Sequence, residues 1–230
     1  MVAAQRASPR PVPRLYLATP VVDDPSSLIA ALPGLLAGCD IAAVLVRLTD
    51  TDPRSMITRI KQLAVPIQNA GAALLLDGRN LGKQVDFVAR SGADGAHLDG
   101  IAALEEALPR LKPDRIAGVG GLTTRHDSMV AGERGADYVL FGEPDAQGRR
   151  PAMEAVAERL AWWAELFEPP CVGYAASIDE AHEFVRVGAD FIMVGDLIWT
   201  DSRGAVAALA DVSRAIREAH AAMRDSTNAG

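Results

Sequence analysis

Three times the chain writes Gly-Ala-Asp, at 92–94, 135–137 and 188–190, each time between a helix-like stretch and a short apolar run. The runs that follow are Gly95 to Leu98, Tyr138 to Phe141 and Phe191 to Val194. A glycine can end a helix in the left-handed conformation, and the chain then turns at once into a buried parallel strand. A joint of this kind, repeated along one chain, predicts a β/α barrel.

The remaining units follow the same spacing. Strands are predicted at Leu15 to Ala18, Ile41 to Val46, Ala72 to Leu76, Ala96 to Leu98, Arg115 to Val119, Tyr138 to Phe141, around Cys171 to Gly173, and at Phe191 to Val194. Helices are expected between them, with start signals at Asp24-Pro25-Ser26, at Pro53, and at Ser177, where Glu180 takes the capping-box position. The third helix is expected from about Asn80 to Arg90 and the last from Ala205 to Met223. Eight pairs make a single (β/α)8 barrel over residues 14–224, with flexible extensions expected at 1–13 and 225–230. An open doubly wound sheet is the alternative, but no glycine-rich dinucleotide fingerprint follows the first strand.

Bulk properties narrow the function. A chain of 230 residues, 49% apolar, suits one domain with a sizeable core. The net charge of −7 argues against nucleic acid, which selects basic surfaces. No apolar run reaches the roughly 20 residues of a membrane helix, and Met1 to Arg14, with arginines and prolines but no apolar core, is not expected to act as a secretory signal. Cys39 and Cys171 lack metal-type spacing and are expected as reduced thiols in a cytoplasmic protein. The expected partner is a small molecule; the oligomeric state is open, a homo-oligomer included.

Barrel chemistry sits at the C-terminal ends of the strands. That rule selects Thr19, Arg47, Asp50, Asp77, Arg79, Asp99, Gly120, Gly121, Thr123 and Glu143, and further on Arg149, Arg150, Tyr174, Ser177, Asp196 and Trp199. Arg47 ends the apolar run Val44 to Val46 and would need an anionic partner if it faced the mouth. Asp77 follows three leucines and could hold Mg²⁺, orient a substrate, or cap a turn before Gly78. Asp99 could serve likewise or cap the next helix. His97 reads either as a hydrogen-bonded core histidine, the favoured reading, or as a layer residue at the site, and His126, His182 and His220 are expected at the surface. Gly118 to Gly121 bring backbone close to a ligand. Arg149 and Arg150 read equally as an anion-binding loop or as a solvated basic turn. Of Trp162 and Trp163, at least one is expected in packing.

From Leu15 to about Ile198 these landmarks resemble the thiamine phosphate synthase family and its thiazole tautomerase relatives. The best-matching segments are Gly92 to Leu98 and Gly135 to Gly142. The resemblance implies a transferase that joins a pyrimidine methyl diphosphate to a thiazole phosphate, releasing pyrophosphate with Mg²⁺. Carried over by position, the family's Gln-x-Arg-x-Lys appears as Leu45-Val46-Arg47-Leu48-Thr49, and its Asn-Asp as Leu76-Asp77. The second metal aspartate falls near Ala102, with Asp99 close enough to substitute. A serine reads as Gly121, the tautomerases' histidine as Thr123, and a loop lysine as Arg149 or Arg150.

The phosphate cradle departs furthest, with Tyr174-Ala175 for a Gly-Gly pair and Gly195 or Asp196 for a serine. Tyr174 would crowd such a cradle. Asp196 would repel a phosphate by about 4 kcal/mol at ~4 Å and an effective dielectric of ~20. Three readings follow: a synthase with a degraded site, a barrel enzyme re-purposed for a non-phosphorylated ligand such as a tautomerase, and a non-catalytic binding paralogue.

Overall fold

The structure is a computed structural model and describes residues 10–81 and 85–228. Its eight strands are β1 (Arg14–Val22), β2 (Ile41–Leu48), β3 (Ala73–Asp77), β4 (Gly95–Asp99), β5 (Ile116–Gly120), β6 (Tyr138–Phe141), β7 (Cys171–Ala175) and β8 (Phe191–Val194). They pair in parallel in chain order, and β1 pairs with β8 to close the barrel. Closure excludes the open sheet. The helices are α1 (Ser26–Gly38), α2 (Pro53–Asn69), α3 (Gly78–Leu81), α4 (Asp86–Ser91), α5 (Gly100–Leu111), α6 (Arg125–Arg134), α7 (Met153–Leu166), α8 (Ile178–Arg186), α9 (Asp196–Trp199) and α10 (Ala205–Asn228). None among the described residues is long and apolar enough to cross a membrane.

The Gly-Ala-Asp joints do two jobs. Gly92, Gly135 and Gly188 take φ of 80°, 96° and 99°, the left-handed region open to glycine. Two residues on, each aspartate accepts the backbone N–H at the foot of the preceding strand. Asp94 takes Leu74 N at 2.7 Å, Asp137 takes Ala117 N at 2.7 Å, and Asp190 takes Cys171 N at 2.8 Å. The motif thus ends a helix and sets the strand register in one stroke.

Strand parity places the site. Leu15, Leu17, Val44, Val46, Leu74 and Leu76 pack outward against the helices. Tyr16, Ala18, Leu45, Leu75, Tyr138, Leu140, Val172, Tyr174 and Met193 fill the interior. The period of two along a strand then turns Arg47, Asp77, His97 and Gly195 inward at the upper rim.

Several sequence expectations are corrected. The helix expected from Asn80 to Arg90 is two short ones, α3 and α4, with 82–84 outside the described residues. Ser177 does cap α8, accepting Glu180 N at 3.1 Å, but the Glu180 carboxylate turns to Ala176 N and Arg150 instead of closing a box. A full capping box forms at Thr124 and Asp127. His220 is buried, its Nε2 2.9 Å from the Arg10 carbonyl, while His126 and His182 are exposed as expected. Arg10 also donates to the Gly188 carbonyl at 2.9 Å, which ties the described end of the 1–13 segment to the barrel; residues 1–9 lie outside the described residues. At the other end, α10 runs to Asn228, into the tail expected from 225, of which 229–230 lie outside the described residues. Cys39 and Cys171 are free thiols, and burial pushes that of Cys171 up to about 12.

Candidate active site

The register Val46↔Leu76 makes Arg47 and Asp77 the next residues on neighbouring strands, and Asp77 pairs across to His97 on β4. Asp77 is buried and held on both oxygens by Arg79: Nε to Oδ1 at 3.1 Å and Nη2 to Oδ2 at 3.0 Å. The Arg79 backbone N–H adds 3.0 Å to Oδ1, so the turn from β3 into α3 is closed by the side chain it serves. Arg79 Nη1 reaches Glu143 Oε2 at 3.5 Å. Burial opposes the Arg79 charge, but Asp77, then Glu143 and Asp99, outweigh it and hold the pKa above the ordinary arginine value.

Glu143 enters from the loop after β6, swung inward by Gly142 at φ 91°. Its side chain is only 9% exposed, with Oε1 accepting Gly121 N at 2.9 Å and Oε2 3.4 Å from His97 Nε2. Burial alone would raise its pKa; His97, Arg79 and the Gly121 amide prevail and lower it. Gly120 leaves the room, because a Cβ there would meet Glu143 Oε1 and lie 2.9 Å from His97 Nε2. His97 Nδ1 sits 3.0 Å from the Tyr138 hydroxyl, which sits 2.9 Å from that of Tyr16. Burial raises the pKa of both phenols, so both are neutral in the barrel interior.

The other side of the rim is built around Tyr174. Its hydroxyl and Arg47 Nη2 both approach Gly195, lying 2.9 Å and 3.2 Å from where a Cβ would stand. Arg47 Nε is buried without a hydrogen-bond partner. Its backbone N–H is held by Thr19 Oγ1 at 3.0 Å. Arg150 fixes the loop after β6 to β7, donating to the carbonyls of Gly142 and Tyr174 at 2.8 Å each and to Glu180 Oε2 at 2.8 Å.

The sequence-selected residues therefore divide. Asp77, Gly120 and Gly121 meet around Arg79 and Glu143, with Asp99 Oδ1 against Gly121; Arg47 and Tyr174 meet at Gly195. Arg149 is exposed and paired with Asp145 at 2.8 Å, so it forms the solvated part of its loop. Thr123 is exposed and donates to Asp127, while its carbonyl accepts from Arg159. Asp196 is exposed at the start of α9. His97 combines its two sequence readings: it is buried and hydrogen-bonded, and it faces the site. Arg79 and Glu143 stood in the positional list without a role, and strand-end position was the signal available for both.

A cavity of about 720 Å³ opens between the β5 and β6 mouths, walled by Arg79, Glu143, Gly121, Arg150 and Arg159 among others. It places an ionised carboxylate and several guanidinium groups around a space large enough for a substrate of two rings.

The sequence matches the family model described as thiamine monophosphate synthase over residues 15–198. The chain belongs to the thiamine monophosphate synthase family. Among its relatives, the thiamine-phosphate synthase of Rhodospirillum centenum is 37% identical over 207 residues, covering 89% of this chain and 98% of that one. The thiamine-phosphate synthase of Hyphomonas neptunium is 32% identical over 212 residues, covering 88% and 93%. The solved thiamine phosphate pyrophosphorylase of Pyrococcus furiosus superposes with a TM-score of 0.72 at 22% identity, covering 90% of this chain and 96% of that one, which supports the shared barrel. The thiamine monophosphate synthase fold is thus retained from the first strand to α9.

Proposed function

We propose that this chain is a thiamine phosphate synthase, joining a hydroxymethylpyrimidine diphosphate to a thiazole phosphate and releasing pyrophosphate. The observation that carries the reading is its likeness to synthases along nearly their full length. Loss of pyrophosphate leaves a cationic pyrimidine methyl group, and the thiazole nitrogen attacks that carbon. The charge growing on the departing oxygen needs fixed cations in a water-poor setting. Arg47 supports this reading, since it turns inward at the rim with Nε unsatisfied.

Tyr174 supports a changed cradle for the thiazole phosphate, since its side chain fills the interior beneath Gly195. Asp196 is less of an obstacle than its position suggested. It is exposed, and in water-like dielectric a like charge at ~4 Å costs about 1 kcal/mol.

The test is direct. Purified protein is supplied with both substrates, with and without Mg²⁺, and thiamine phosphate is measured by fluorescence after oxidation. Formation of product supports the synthase; none at high enzyme concentration in either condition overturns it. A second reading, a re-purposed barrel that binds a small ligand without this turnover, draws on Asp77 being engaged by Arg79 and on the interior Tyr174. Thermal stabilisation by another small metabolite, with no product and no response to pyrophosphate, would favour it.

A further inference from the structure

Asp77 is the carboxylate on which the expected Mg²⁺ would have to rest, and both its oxygens are engaged. The Arg79 guanidinium spans them at 3.1 and 3.0 Å, in the fork geometry that makes arginine–carboxylate pairs strong. Magnesium instead needs oxygen ligands at about 2.0–2.1 Å in near-octahedral array. The second expected ligand, Asp99, is exposed. Among the described residues no three His, Cys, Asp or Glu side chains gather as a metal site. The donor set does not fit the metal that the family resemblance implies.

We infer that Arg79 is the resident cation of this mouth: it takes the divalent ion's place on Asp77 and, with Arg47, holds a diphosphate without metal. The inference rests on the synthase reading above. Arg79 has five N–H donors; two serve Asp77, one approaches the Pro144 carbonyl at 3.4 Å, and the side chain keeps 27% of its surface exposed in the wall of the cavity. Arg47 and Arg79 balance Asp77 and Glu143 charge for charge. Arg47 and Asp77 follow the paired Val46 and Leu76 on neighbouring strands and both turn inward at the rim, so Arg47 stands on the strand next to the Asp77–Arg79 pair. A guanidinium fixed by a buried carboxylate is preorganised, and its bonds to an incoming phosphate cost little further ordering.

The experiment measures inorganic pyrophosphate binding by calorimetry in EDTA and in Mg²⁺, and Mn²⁺ binding by the loss of its free-ion electron paramagnetic resonance signal. The wild-type protein is expected to bind pyrophosphate in EDTA and to leave free Mn²⁺ unchanged. Arg79→Ala should lose about 10- to 100-fold in pyrophosphate affinity in EDTA, the span of hydrogen bonds to charged groups. The same variant should gain Mn²⁺ binding through the uncovered Asp77, and Arg79→Ala with Asp77→Asn should lose that gain. Arg79→Lys, a milder change, should retain part of the EDTA binding. Pyrophosphate binding by wild type only in Mg²⁺, or undiminished binding by Arg79→Ala in EDTA, overturns the inference and leaves the synthase reading standing. No pyrophosphate binding under any condition overturns both.

Discussion

Arg150 holds Tyr174 from two directions: its guanidinium donates to the Tyr174 carbonyl at 2.8 Å and its Cζ lies 5.0 Å from the centre of the Tyr174 ring. The same group reaches Glu180, and the pair keeps only 19% and 16% of its side-chain surface exposed. Arg150→Ala leaves Glu180 and two carbonyls short of a donor. It should cost about 2–3 kcal/mol, less than a fully buried pair, and lower the melting temperature by roughly 5–10 °C in calorimetry. Arg150→Lys, which cannot span three acceptors, should recover less than half.

The two interior tyrosines should differ in cost. The Tyr138 hydroxyl serves both Tyr16 and His97, whereas Tyr16 serves Tyr138 alone. Tyr138→Phe leaves two buried polar groups unpaired and should destabilise by about 2 kcal/mol; Tyr16→Phe should cost about 1 kcal/mol. Urea unfolding of both variants checks the order, and equal losses would contradict the chain of contacts.

Glu143 should contribute to acid sensitivity. Its pKa lies below the ordinary 4.5 despite burial. A lowered carboxylate pKa stabilises the fold above the unfolded-state value and loses that contribution as pH falls through the folded-state value. Stability should therefore drop as the pH falls below the ordinary glutamate value of 4.5, and Glu143→Gln should flatten that part of the profile. Urea midpoints across this range measure it.

Arg47→Ala should separate activity from folding. Its Nε has no partner to lose, so the melting temperature should stay within about 2 °C. If Arg47 steadies the leaving pyrophosphate, kcat/KM should fall by about 10²- to 10³-fold, the usual range for one charge-stabilising donor. Product formation at wild-type rate would remove Arg47 from the reaction.

The barrel was legible because Gly-Ala-Asp and the period of two are local signals. The inward turn of Arg47 was legible for the same reason, since it stands two residues past the interior Leu45. The Asp77–Arg79 clasp was not, because it depends on how the turn after β3 folds the i+2 side chain back. Glu143 required knowing that Gly142 would adopt φ 91° and aim it at His97. His97 hid in an apolar triplet, and only strand parity turns it toward the axis.

The aspartates of Gly-Ala-Asp fasten β3, β5 and β7 from below, at the end of the barrel opposite the chemistry. Strand height is decided before a single rim residue is chosen. With the strand feet fixed in this way, rim residues such as Leu45, Thr49 and Tyr174 can change without any strand slipping. The foundation is laid by backbone hydrogen bonds at the strand feet, and the rim is where such a protein is at liberty to experiment.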